Sequence, residues 1–474
     1  MTRELRNQNL SNIYFDLLII GGGITGAGIA LDASSRGLKV ALIEKGDFAS
    51  GTSSKSTKLI HGGLRYLKQG EFNLVREVGR ERAILFKNAP HIVIPERMLM
   101  PFTESGSFGK KISSIGLSIY DWLAGVPKKE RRKILNVKEA KIAEPLLEVE
   151  GLQGAALFYE YRTDDARLTI DILKTANNYG AIISNYLENT EFIYDNGTII
   201  GAKVFDHITS ESFSINASKI INATGPWVDI LRKNDHNESE TKLQLTKGVH
   251  IVVKFEKFPI NQSIYFDAPD GRMLFAIPRG ETTYFGTTDT DFNDNLDMPN
   301  VTIDDVNYLL NCVNKVFPSI KILKTDIISS WAGLRPLIKK EGKKSIELSR
   351  KDEIFISKSG LISIAGGKLT GYRKMAERVV NLISKKTCLT ENIQIIKNES
   401  LEIDYTINNE WVESVQDFAI RRTSMLYFDP QSLKMNLNEI VNKIADLKKW
   451  NQNKKDRELI EMKNLISQSI NFIN

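Results

Sequence analysis

The chain has 474 residues, of which 26% are charged and 42% hydrophobic. These values are typical of globular proteins and exclude extended disorder, and the length allows two or three domains with a sizeable core. The net charge of +6 is modest. It suits an anionic small molecule or an acidic lipid surface, but it lacks the concentrated basic stripe of a nucleic-acid-binding protein, so no nucleic-acid partner is expected.

The cysteines and the N-terminal residues give expectations about the compartment. Cys312 and Cys388 lie far apart, so we expect no disulfide framework and no metal site. Residues 1–14 are predicted to be a polar extension, because they lack the apolar core of a signal peptide. No apolar stretch reaches membrane-spanning length, since even residues 17–33 contain glycines and Asp32. A reducing cytoplasm is the expected location.

The strongest local pattern is an apolar run, residues 15–20, that ends in glycines and leads into a helix-like stretch. Gly21 is expected to make the tight turn, Gly23 to let backbone approach a pyrophosphate, and Gly26 to let the helix pack on the strand. The helix would begin near Ile24 and direct the positive end of its dipole at the phosphates. The pattern predicts a dinucleotide-binding βαβ unit, the alternative being a purely structural turn.

An acidic residue completes this unit. A second apolar run, residues 39–43, ends at Glu44, about where a carboxylate accepts hydrogen bonds from a ribose hydroxyl. A carboxylate there repels a 2′-phosphate, which argues against NADP.

The segment after Glu44 favours FAD over NAD. Residues 45–57 are small and rich in hydroxyl groups, where an NAD-binding domain normally continues into another helix. Small residues permit close backbone approach, and hydroxyls can donate to phosphate oxygens. The other interpretation is a flexible surface loop. The apolar and aromatic residues 59–67, which follow directly, argue against that interpretation.

Further motifs follow in a fixed order along the chain. They lie at residues 21–44, 52–67, 161–168, 222–228, 245–250, 286–290, 331–337, 346–352 and 366–373. Together they resemble the FAD-dependent (aerobic) glycerol-3-phosphate dehydrogenases, within the glycine-oxidase-like flavoprotein superfamily. The resemblance extends from about residue 15 to residue 385. Many motifs in one order are more specific than any one of them.

The resemblance implies an α/β FAD-binding Rossmann-like domain interleaved with an antiparallel-sheet α+β substrate domain, followed by a short helical C-terminal region. The chain patterns agree, because residues 219–222 form an apolar run that stops in small residues and residues 240–340 contain short strand patterns between turns. We assign residues 15–75, 155–235 and 341–388 to the FAD-binding domain, 76–154 and 236–340 to the substrate-binding domain, and 389–474 to a shortened C-terminal cap.

The resemblance also implies which residues bind the cofactor FAD. They fall in the glycine loop, the hydroxyl-rich loop, and two strand ends near residues 223 and 367. The predicted set is Gly21, Gly23, Ile24, Thr25, Gly26, Glu44, Lys45, Thr52, Ser53, Ser54, Ser56, Leu59, His61, Gly62, Gly63, Ala223, Thr224, Gly225, Gly367, Lys368, Leu369 and Thr370.

Arginines are the predicted ligands of an anionic substrate. Arg335 lies in residues 333–336, interpreted as a rigid turn that suits a bidentate grip on an anionic oxygen, and the matching arginine of the family contacts substrate. Arg65, Tyr66 and Arg350 match further substrate-binding positions. Without the motifs, each arginine would be interpreted as a solvated surface charge.

His250 and Lys368 are, with Arg335, the predicted catalytic residues. His250 begins an apolar strand, and a neutral imidazole there can accept the C2 hydroxyl proton while hydride leaves for the flavin N5. A structural histidine at a strand end is the alternative. Lys368 is predicted to begin a helix that faces the flavin pyrimidine edge, where negative charge develops on reduction. The alternative is an exposed lysine.

Two features concern partners. Family members usually carry a longer C-terminal cap, so a segment of the cap is expected to be missing here. Two questions therefore stay open: whether the protein forms a homodimer, and which surface the electron acceptor contacts.

Residues 108–123 and 128–133 combine apolar, aromatic and cationic positions. They predict either a helix lying peripherally on the inner, anionic face of a membrane or an ordinary amphipathic helix packed on the domain.

The function implied by the resemblance is oxidation of sn-glycerol 3-phosphate to dihydroxyacetone phosphate, with electrons passed to the quinone pool. A first alternative is an oxidase of the same substrate that uses oxygen and makes hydrogen peroxide. An amine oxidase is a second alternative, against which the phosphate-directed arginines argue. A third is a non-catalytic flavin-binding or RNA-associated protein, against which the intact motifs argue.

Overall fold

Two β-sheets, with helices packed against them, form the body of the protein. The computed structural model describes residues 1–61, 71–104, 131–235, 240–340, 342 and 351–472, and every structural statement below refers to these residues. Within them, no helix is both long and apolar enough to cross a lipid bilayer.

The first sheet carries the predicted βαβ unit. Its strands are β1 (Tyr14–Ile20), β2 (Val40–Ile43), β7 (Ile182–Ser184), β8 (Leu187–Asp195), β9 (Thr198–Asp206), β10 (Glu211–Asn222), β17 (Asp352–Ile356) and β18 (Ile362–Gly366). The order is β17-β18-β10-β1-β2-β7, and the pairs β18-β10, β10-β1, β1-β2 and β2-β7 are parallel. The carboxyl ends of β1, β2, β10 and β18 therefore meet at one edge.

Apolar residues cover both faces of this sheet, as a parallel sheet requires. On one face, β1 and β2 pack against α2 (Ile24–Ser35), α5 (Asp165–Asn178) and α8 (Tyr372–Asn381). On the other face, residues of β8 and β9 pack together with Leu10 from α1 (Arg3–Asn12). The segment interpreted as a polar extension thus begins with a packed helix.

The second sheet is mainly antiparallel, with one parallel pair between the strands at Ile94–Thr103 and Ser263–Asp267. Its strands are β3 (Leu59–Ile60), β4 (Ile94–Thr103), β5 (Lys133–Leu135), β6 (Leu152–Arg162), β11 (Leu243–Lys254), β12 (Ser263–Asp267), β13 (Met273–Arg279), β14 (Thr282–Gly286), β15 (Thr290–Asp291) and β16 (Ile327–Ile338).

The strand order of the second sheet is β15-β11-β14-β13-β12-β4-β6-β3, with β16 paired to β11 and β5 to β6. The strand β3 and residues 155–162 of β6 were assigned from sequence to the FAD-binding domain. They lie in the second sheet because β6 pairs along its length with β4, and β3 pairs with the end of β6.

Helices cover the second sheet on both faces. One apolar cluster joins β11, β12 and β14 to α7 (Ile303–Val316), and another joins the opposite face to the C-terminal helices. The other α-helices of the described residues are α3 (Phe72–Asn88), α4 (Val137–Ala143), α6 (Val228–Lys233), α9 (Ile403–Asn409), α10 (Met425–Phe428), α11 (Pro430–Lys448) and α12 (Gln452–Gln468), with a π-helical segment at Asp417–Arg422. A short helical C-terminal region is therefore present, as predicted.

Candidate active site

A cavity of about 430 Å³ lies between the carboxyl edge of the first sheet and one face of the second. Most of the predicted site residues line it. From the first sheet and its loops these are Gly21, Gly23, Ile24, Thr25, Glu44, Lys45, Thr52, Ser53, Ser56, Ala223, Thr224, Gly225, Gly367, Lys368, Leu369 and Thr370, and from the second sheet and the residue after β3 they are Leu59, His61, His250 and Arg335.

Some predicted residues lie elsewhere. Gly26 and Ser54 are not part of the cavity wall. Ser54 is buried, and Gly26 lies within α2, one turn behind the wall. Gly62, Gly63, Arg65, Tyr66 and Arg350, together with most of the predicted membrane-facing segment, lie outside the described residues.

The glycine loop between β1 and α2 has the shape that close approach requires. Gly21 has φ +115°, a conformation open to glycine, and a Cβ there would lie 2.6 Å from the Ala223 carbonyl oxygen. A Cβ on Gly26 would lie 1.9 Å from the Gly21 carbonyl oxygen. Side chains at these positions would therefore displace the loop from its neighbours. Because glycine has no side chain, the backbone at the N-terminus of α2 stays open to the cavity.

Glu44, at the end of β2, is held by backbone amides. Its Oε2 accepts a hydrogen bond from Gly22 N at 2.7 Å and its Oε1 accepts one from Gly46 N at 3.0 Å. Burial raises the pKa of the Glu44 carboxyl, and these two amides partly offset the increase. The carboxyl group lies in the cavity wall beside Lys45.

The hydroxyl-rich loop, residues 45–57, both lines the cavity and forms hydrogen bonds to other segments of the protein. Ser53 Oγ accepts from Ile24 N at 2.9 Å, so it binds the first turn of α2. Thr52 Oγ1 donates to the Leu334 carbonyl oxygen at 2.7 Å, and Ser56 Oγ donates to Asp165 Oδ2 at 2.7 Å. The loop thus links the first sheet to β16 and α5 while its backbone lines the cavity.

Two further backbone turns come from strand ends. After β10, Asn222 is buried and its Oδ1 accepts from Thr224 N and Oγ1, which shapes the turn that begins at Ala223. After β18, Gly366 and Gly367 have φ +77° and +79°. Lys368 follows them, and the prediction that it begins the helix is wrong. A 3₁₀ turn at Leu369–Gly371 comes first, and α8 begins at Tyr372.

Arg335 lies in a strand and not in the predicted turn. Residues 327–338 form β16, in which Arg335 pairs with Thr246 of β11 and Pro336 pairs with Leu245. The proline is tolerated because β16 pairs only with β11, among the described strands, and so has an open edge. The strand fixes the direction of the Arg335 side chain, which a turn would leave less defined.

Three alternate residue pairs of β11 and β16 share the sheet face that borders the cavity. They are Thr246 with Arg335, Gly248 with Gly333, and His250 with Trp331, because side chains alternate with a period of two. The Arg335 guanidinium lies over Gly248, where a Cβ would be 2.1 Å from its Nη2. On the other glycine of the pair, Gly333, a Cβ would lie 2.6 Å from the Lys55 carbonyl oxygen, so both glycines let neighbouring groups pack closely on the sheet.

Hydrogen bonds hold the Arg335 guanidinium in place. Nη2 donates to Thr287 Oγ1 at 2.7 Å, and Nη1 donates to the Thr288 carbonyl oxygen at 3.1 Å and to Asp289 Oδ1 at 3.2 Å. The side chain is partly exposed to the cavity. A positive charge fixed in this way is suited to binding an anionic group.

His250 lies within β11 and does not begin it, in contrast to the prediction. It is 1% exposed, and its ring stacks on Trp331 with a centroid distance of 4.9 Å. Burial, with the charges of Arg335 and Lys58 adding to it, holds the pKa of His250 well below its usual value of 6.5. The imidazole is therefore neutral near pH 7 and able to accept a proton.

Thr57, Lys58 and Asp165 contact the site but are not among the site residues predicted from the sequence. Thr57 Oγ1 is 3.0 Å from His250 Nε2. Lys58 Nζ is buried and donates to Asp165 Oδ1 at 2.5 Å and to the Ser54 carbonyl oxygen at 3.0 Å. These residues belong to motifs quoted above, but the contacts join segments more than 100 residues apart, which sequence spacing does not reveal.

The fold and the cavity together define a flavin-dependent oxidoreductase. A sequence profile described as FAD dependent oxidoreductase matches residues 16–373, and one described as the C-terminal domain of alpha-glycerophosphate oxidase matches residues 369–455. The chain belongs to the family of aerobic glycerol-3-phosphate dehydrogenases, and its cofactor is FAD.

Two similar proteins, one of them aligned with nearly the whole chain, support the family. The aerobic glycerol-3-phosphate dehydrogenase of Bacillus subtilis is 43% identical over 542 aligned residues, which cover 99% of this chain and 98% of the relative. The alignment is longer than this chain, so the relative has residues that this chain lacks. The enzyme of the same description from Staphylococcus aureus is 55% identical over 386 residues, 81% of this chain and 69% of that protein.

A solved structure agrees over the full chain. The glycerol-3-phosphate dehydrogenase of Bacillus halodurans, whose structure was determined with FAD bound, superposes with a TM-score of 0.84 at 36% identity. The match covers 99% of this chain and 98% of that one.

Proposed function

We propose that this enzyme oxidises sn-glycerol 3-phosphate at C2 to dihydroxyacetone phosphate. The observation that carries the proposal is the arrangement of β11 and β16, where a fixed arginine and a neutral histidine lie on one sheet face at either end of the Gly248–Gly333 pair. An anionic alcohol needs a cation for its phosphate and a base for its hydroxyl. The names of the relatives support the same substrate.

The cavity residues fit FAD. The open backbone at Gly21 and Gly23 suits a pyrophosphate at the head of α2, and the Glu44 carboxyl suits a ribose hydroxyl. The backbone after Gly367 and the Lys368 side chain would hold the flavin end. When bound, FAD supplies the hydride acceptor, N5, for the C2 hydrogen.

The protein residues perform the other tasks of the reaction. Arg335 would bind an anionic oxygen of the substrate with its guanidinium, and Arg65, Tyr66 and Arg350 are proposed as further substrate ligands. His250 would take the C2 hydroxyl proton. His250 and the Trp331 ring that stacks on it are both buried, so the imidazole has little contact with solvent.

The test is anaerobic reduction of the bound flavin. We expect the purified protein to be yellow and to lose its flavin absorbance near 450 nm, a wavelength that oxidised flavins share, when glycerol 3-phosphate is added without oxygen. Glycerol and phosphate added separately serve as controls. A flavin that stays oxidised with glycerol 3-phosphate, but is reduced by dithionite, would refute the proposal.

We propose a quinone as the physiological electron acceptor, supported by the dehydrogenase names of the relatives. The reduced enzyme should be reoxidised much faster by a soluble quinone analogue than by dissolved oxygen. Rapid reoxidation by oxygen with stoichiometric hydrogen peroxide would identify an oxidase instead.

Peripheral binding to an anionic membrane is proposed for the same reason, since a quinone dissolves in lipid. The segment predicted to bind the membrane lies mostly outside the described residues, which include Arg131, Arg132 and Lys133 at its end. Flotation with anionic vesicles at low and high salt tests this. We expect flotation at low salt that neutralising Lys128, Lys129, Arg131 and Arg132 abolishes, and a protein that never floats would contradict it.

A further inference from the structure

The hydroxyl of Thr57 lies between the cavity and the buried His250. Both residues line the cavity, but Thr57 is partly exposed whereas His250 is only 1% exposed. Thr57 Oγ1 lies 3.0 Å from His250 Nε2, within hydrogen-bond distance. Thr57 is thus the more exposed of the two cavity residues, and its hydroxyl is in contact with the buried imidazole.

The orientation of the imidazole is fixed by its neighbours. Trp331 stacks against one face, with 14° between the ring planes. Gly286 packs against the ring so closely that a Cβ there would lie 2.5 Å from His250 Cδ2. His250 Nδ1 is buried and has no hydrogen-bond partner in the described part of the chain. Nε2 is thus the ring nitrogen that has a hydrogen-bond partner, and that partner, Thr57 Oγ1, belongs to a residue of the cavity wall.

Thr57 itself is held on both sides. The Tyr284 hydroxyl donates to the Thr57 carbonyl oxygen at 3.0 Å. The next residue, Lys58, is anchored by Asp165 and by the Ser54 carbonyl oxygen. These contacts tie the Thr57 backbone to the second sheet and to α5, so its hydroxyl keeps its place beside the imidazole.

We propose that the Thr57 hydroxyl relays the C2 hydroxyl proton of the substrate to His250 Nε2, which rests on the proposed function. The substrate O–H bond breaks as its proton binds Thr57 Oγ1, and the original Thr57 proton moves to Nε2. The C2–H bond breaks, and its electron pair leaves with hydrogen as hydride for the bound FAD. The products are a ketone, an imidazolium at His250 and the two-electron-reduced cofactor.

The relay requires one tautomer of the neutral imidazole. The proton must lie on Nδ1 so that the Nε2 lone pair accepts from the Thr57 hydroxyl. Burial and the nearby charges of Arg335 and Lys58, which lower the pKa of His250, keep the ring neutral before the substrate binds. The same burial and charges disfavour the imidazolium after transfer.

Thr57→Val and Thr57→Ser form a matched pair for the test, because valine keeps the shape without the hydroxyl and serine keeps the hydroxyl without the methyl group. Anaerobic stopped-flow mixing with sn-glycerol 3-phosphate gives the rate constant of flavin reduction and the substrate dissociation constant. General acid–base assistance contributes about 10²- to 10⁴-fold, so Thr57→Val should reduce flavin at least about 100-fold more slowly. Serine should restore most of the rate.

The readouts separate a relay from a packing role. The FAD content and the flavin spectrum should stay unchanged in both variants, the fall in the rate of flavin reduction should exceed any rise in the substrate dissociation constant, and the solvent deuterium isotope effect of the wild type should change in Thr57→Val. A Thr57→Val variant that reduces flavin at the wild-type rate overturns the relay, as does a serine variant that is as slow as valine. A wild-type flavin that glycerol 3-phosphate does not reduce overturns the proposed function and the relay together.

Nitrogen NMR of histidine-labelled holoenzyme gives a second readout that is independent of activity. We expect one imidazole with an unprotonated, acceptor-type Nε2, whose signal is lost in His250→Gln and shifted in Thr57→Val. A protonated, donor-type Nε2 at His250 near neutral pH would overturn the relay even if Thr57→Val were slow.

Discussion

Among single residues, Arg335 allows the most direct test of substrate binding. Its guanidinium is already fixed by Thr287, Thr288 and Asp289, so little side-chain freedom is lost on binding an anion. A charged hydrogen bond is worth about 1.5–3 kcal/mol, so Arg335→Ala should raise the substrate dissociation constant about 10- to 100-fold. Stopped-flow flavin reduction measures it.

The controls for this prediction are the flavin itself and a charge-preserving variant. FAD content should not change in Arg335→Ala, because the side chain contacts the second sheet and not the glycine loop. Arg335→Lys keeps the charge but loses the planar fork, and we expect an intermediate dissociation constant. Wild-type affinity in Arg335→Ala would remove Arg335 from the substrate site.

Lys55 provides a test at the residue scale that depends on pH. It lies in the cavity wall, where its backbone packs closely on Gly333. A Cβ on Gly333 would lie 2.6 Å from the Lys55 carbonyl oxygen. Burial lowers the pKa of its ammonium group to about 8, with Arg421 adding to this effect and Asp297 opposing it. The unfolded value is about 10.4, so between about pH 8 and pH 10.4 the unfolded chain binds the extra proton.

It follows that the Lys55 contribution to apoprotein stability rises as the pH increases from about 8 to about 10.4. Lys55→Met removes this contribution. The variant should be more stable than wild-type apoprotein at pH 7 and should approach it near pH 10. Urea unfolding of both apoproteins across this range measures the difference. A constant difference between the two proteins at all pH values would show that Lys55 does not titrate in this window.

Among the elements, the β1–α2 connection depends on Gly26. A Cβ there would lie 1.9 Å from the Gly21 carbonyl oxygen, and backbone cannot yield as a flexible side chain would. Gly26→Ala should therefore displace the glycine loop and weaken FAD binding by at least about tenfold, while most of the fold persists. Reconstitution of apoprotein with FAD, followed by flavin fluorescence, measures the affinity.

Gly371→Ala is the matched control, because a Cβ at Gly371 meets no atom within 4 Å and its φ is negative. It should bind FAD like the wild type, apart from a small loss of stability at the start of α8. If Gly26→Ala also bound FAD normally, the loop would have to be more adaptable than its contacts indicate.

The elements also show which parts of the fold can be predicted from sequence. The unit formed by β1, α2 and β2 was predicted because its signals are local: apolar runs, glycines and an acid at a fixed spacing. The strand β16 was misinterpreted as a turn because Pro336 usually ends a strand, and only pairing with β11 shows that it does not. The helix α7 escaped notice among the strand patterns around it.

The site follows the same division. Gly21, Glu44, His250 and Arg335 were found because motifs mark them, and the structure brings all four to one cavity. Thr57 was not predicted as a site residue because the role proposed for it depends on its contact with His250, which is 193 residues away in the sequence. Contacts of this kind are set by how strands pair across the molecule, and spacing along the chain carries no record of them.

Across the whole molecule, the C-terminal region is joined to the FAD-binding sheet by buried charges. Asp47, in the loop after β2, is bound by Arg421 and Arg422, and Arg422 also donates to the Glu410 carbonyl oxygen. Arg167 of α5 forms a second link to the Glu410 side chain at 2.5 Å. The loop that lines the cofactor cavity is therefore tied to the C-terminal helices, and the two cannot separate without exposing unpaired charges.

Arg422→Met tests the importance of this connection. Removing one partner of a buried ion pair costs about 3–5 kcal/mol, and Arg421 still contacts Asp47, so we expect a loss of about 3 kcal/mol in the free energy of unfolding. The exposed pair of Lys203 and Glu191 provides the control, since Lys203→Met should cost less than about 1 kcal/mol. Chemical denaturation of both variants with FAD bound makes the comparison, and equal losses would show that the buried pair does not hold the C-terminal region in place.

The pH dependence of stability tests the ion pairs between Asp47 and the two arginines through the titration of the Asp47 carboxylate. Burial opposes ionisation of Asp47, but the Arg422 and Arg421 guanidiniums outweigh it and lower the pKa of Asp47 to about 2. Its unfolded pKa is about 3.9, so its stabilisation is complete above that pH and is lost as the pH falls through about 2. Asp47→Asn should therefore be less stable than the wild type at pH 7, and the difference should shrink as the pH falls below about 4. Acid titration of far-UV circular dichroism for both proteins measures this, and a difference that stays constant down to pH 2 would mean that the Asp47 charge does not couple the loop to the C-terminal helices.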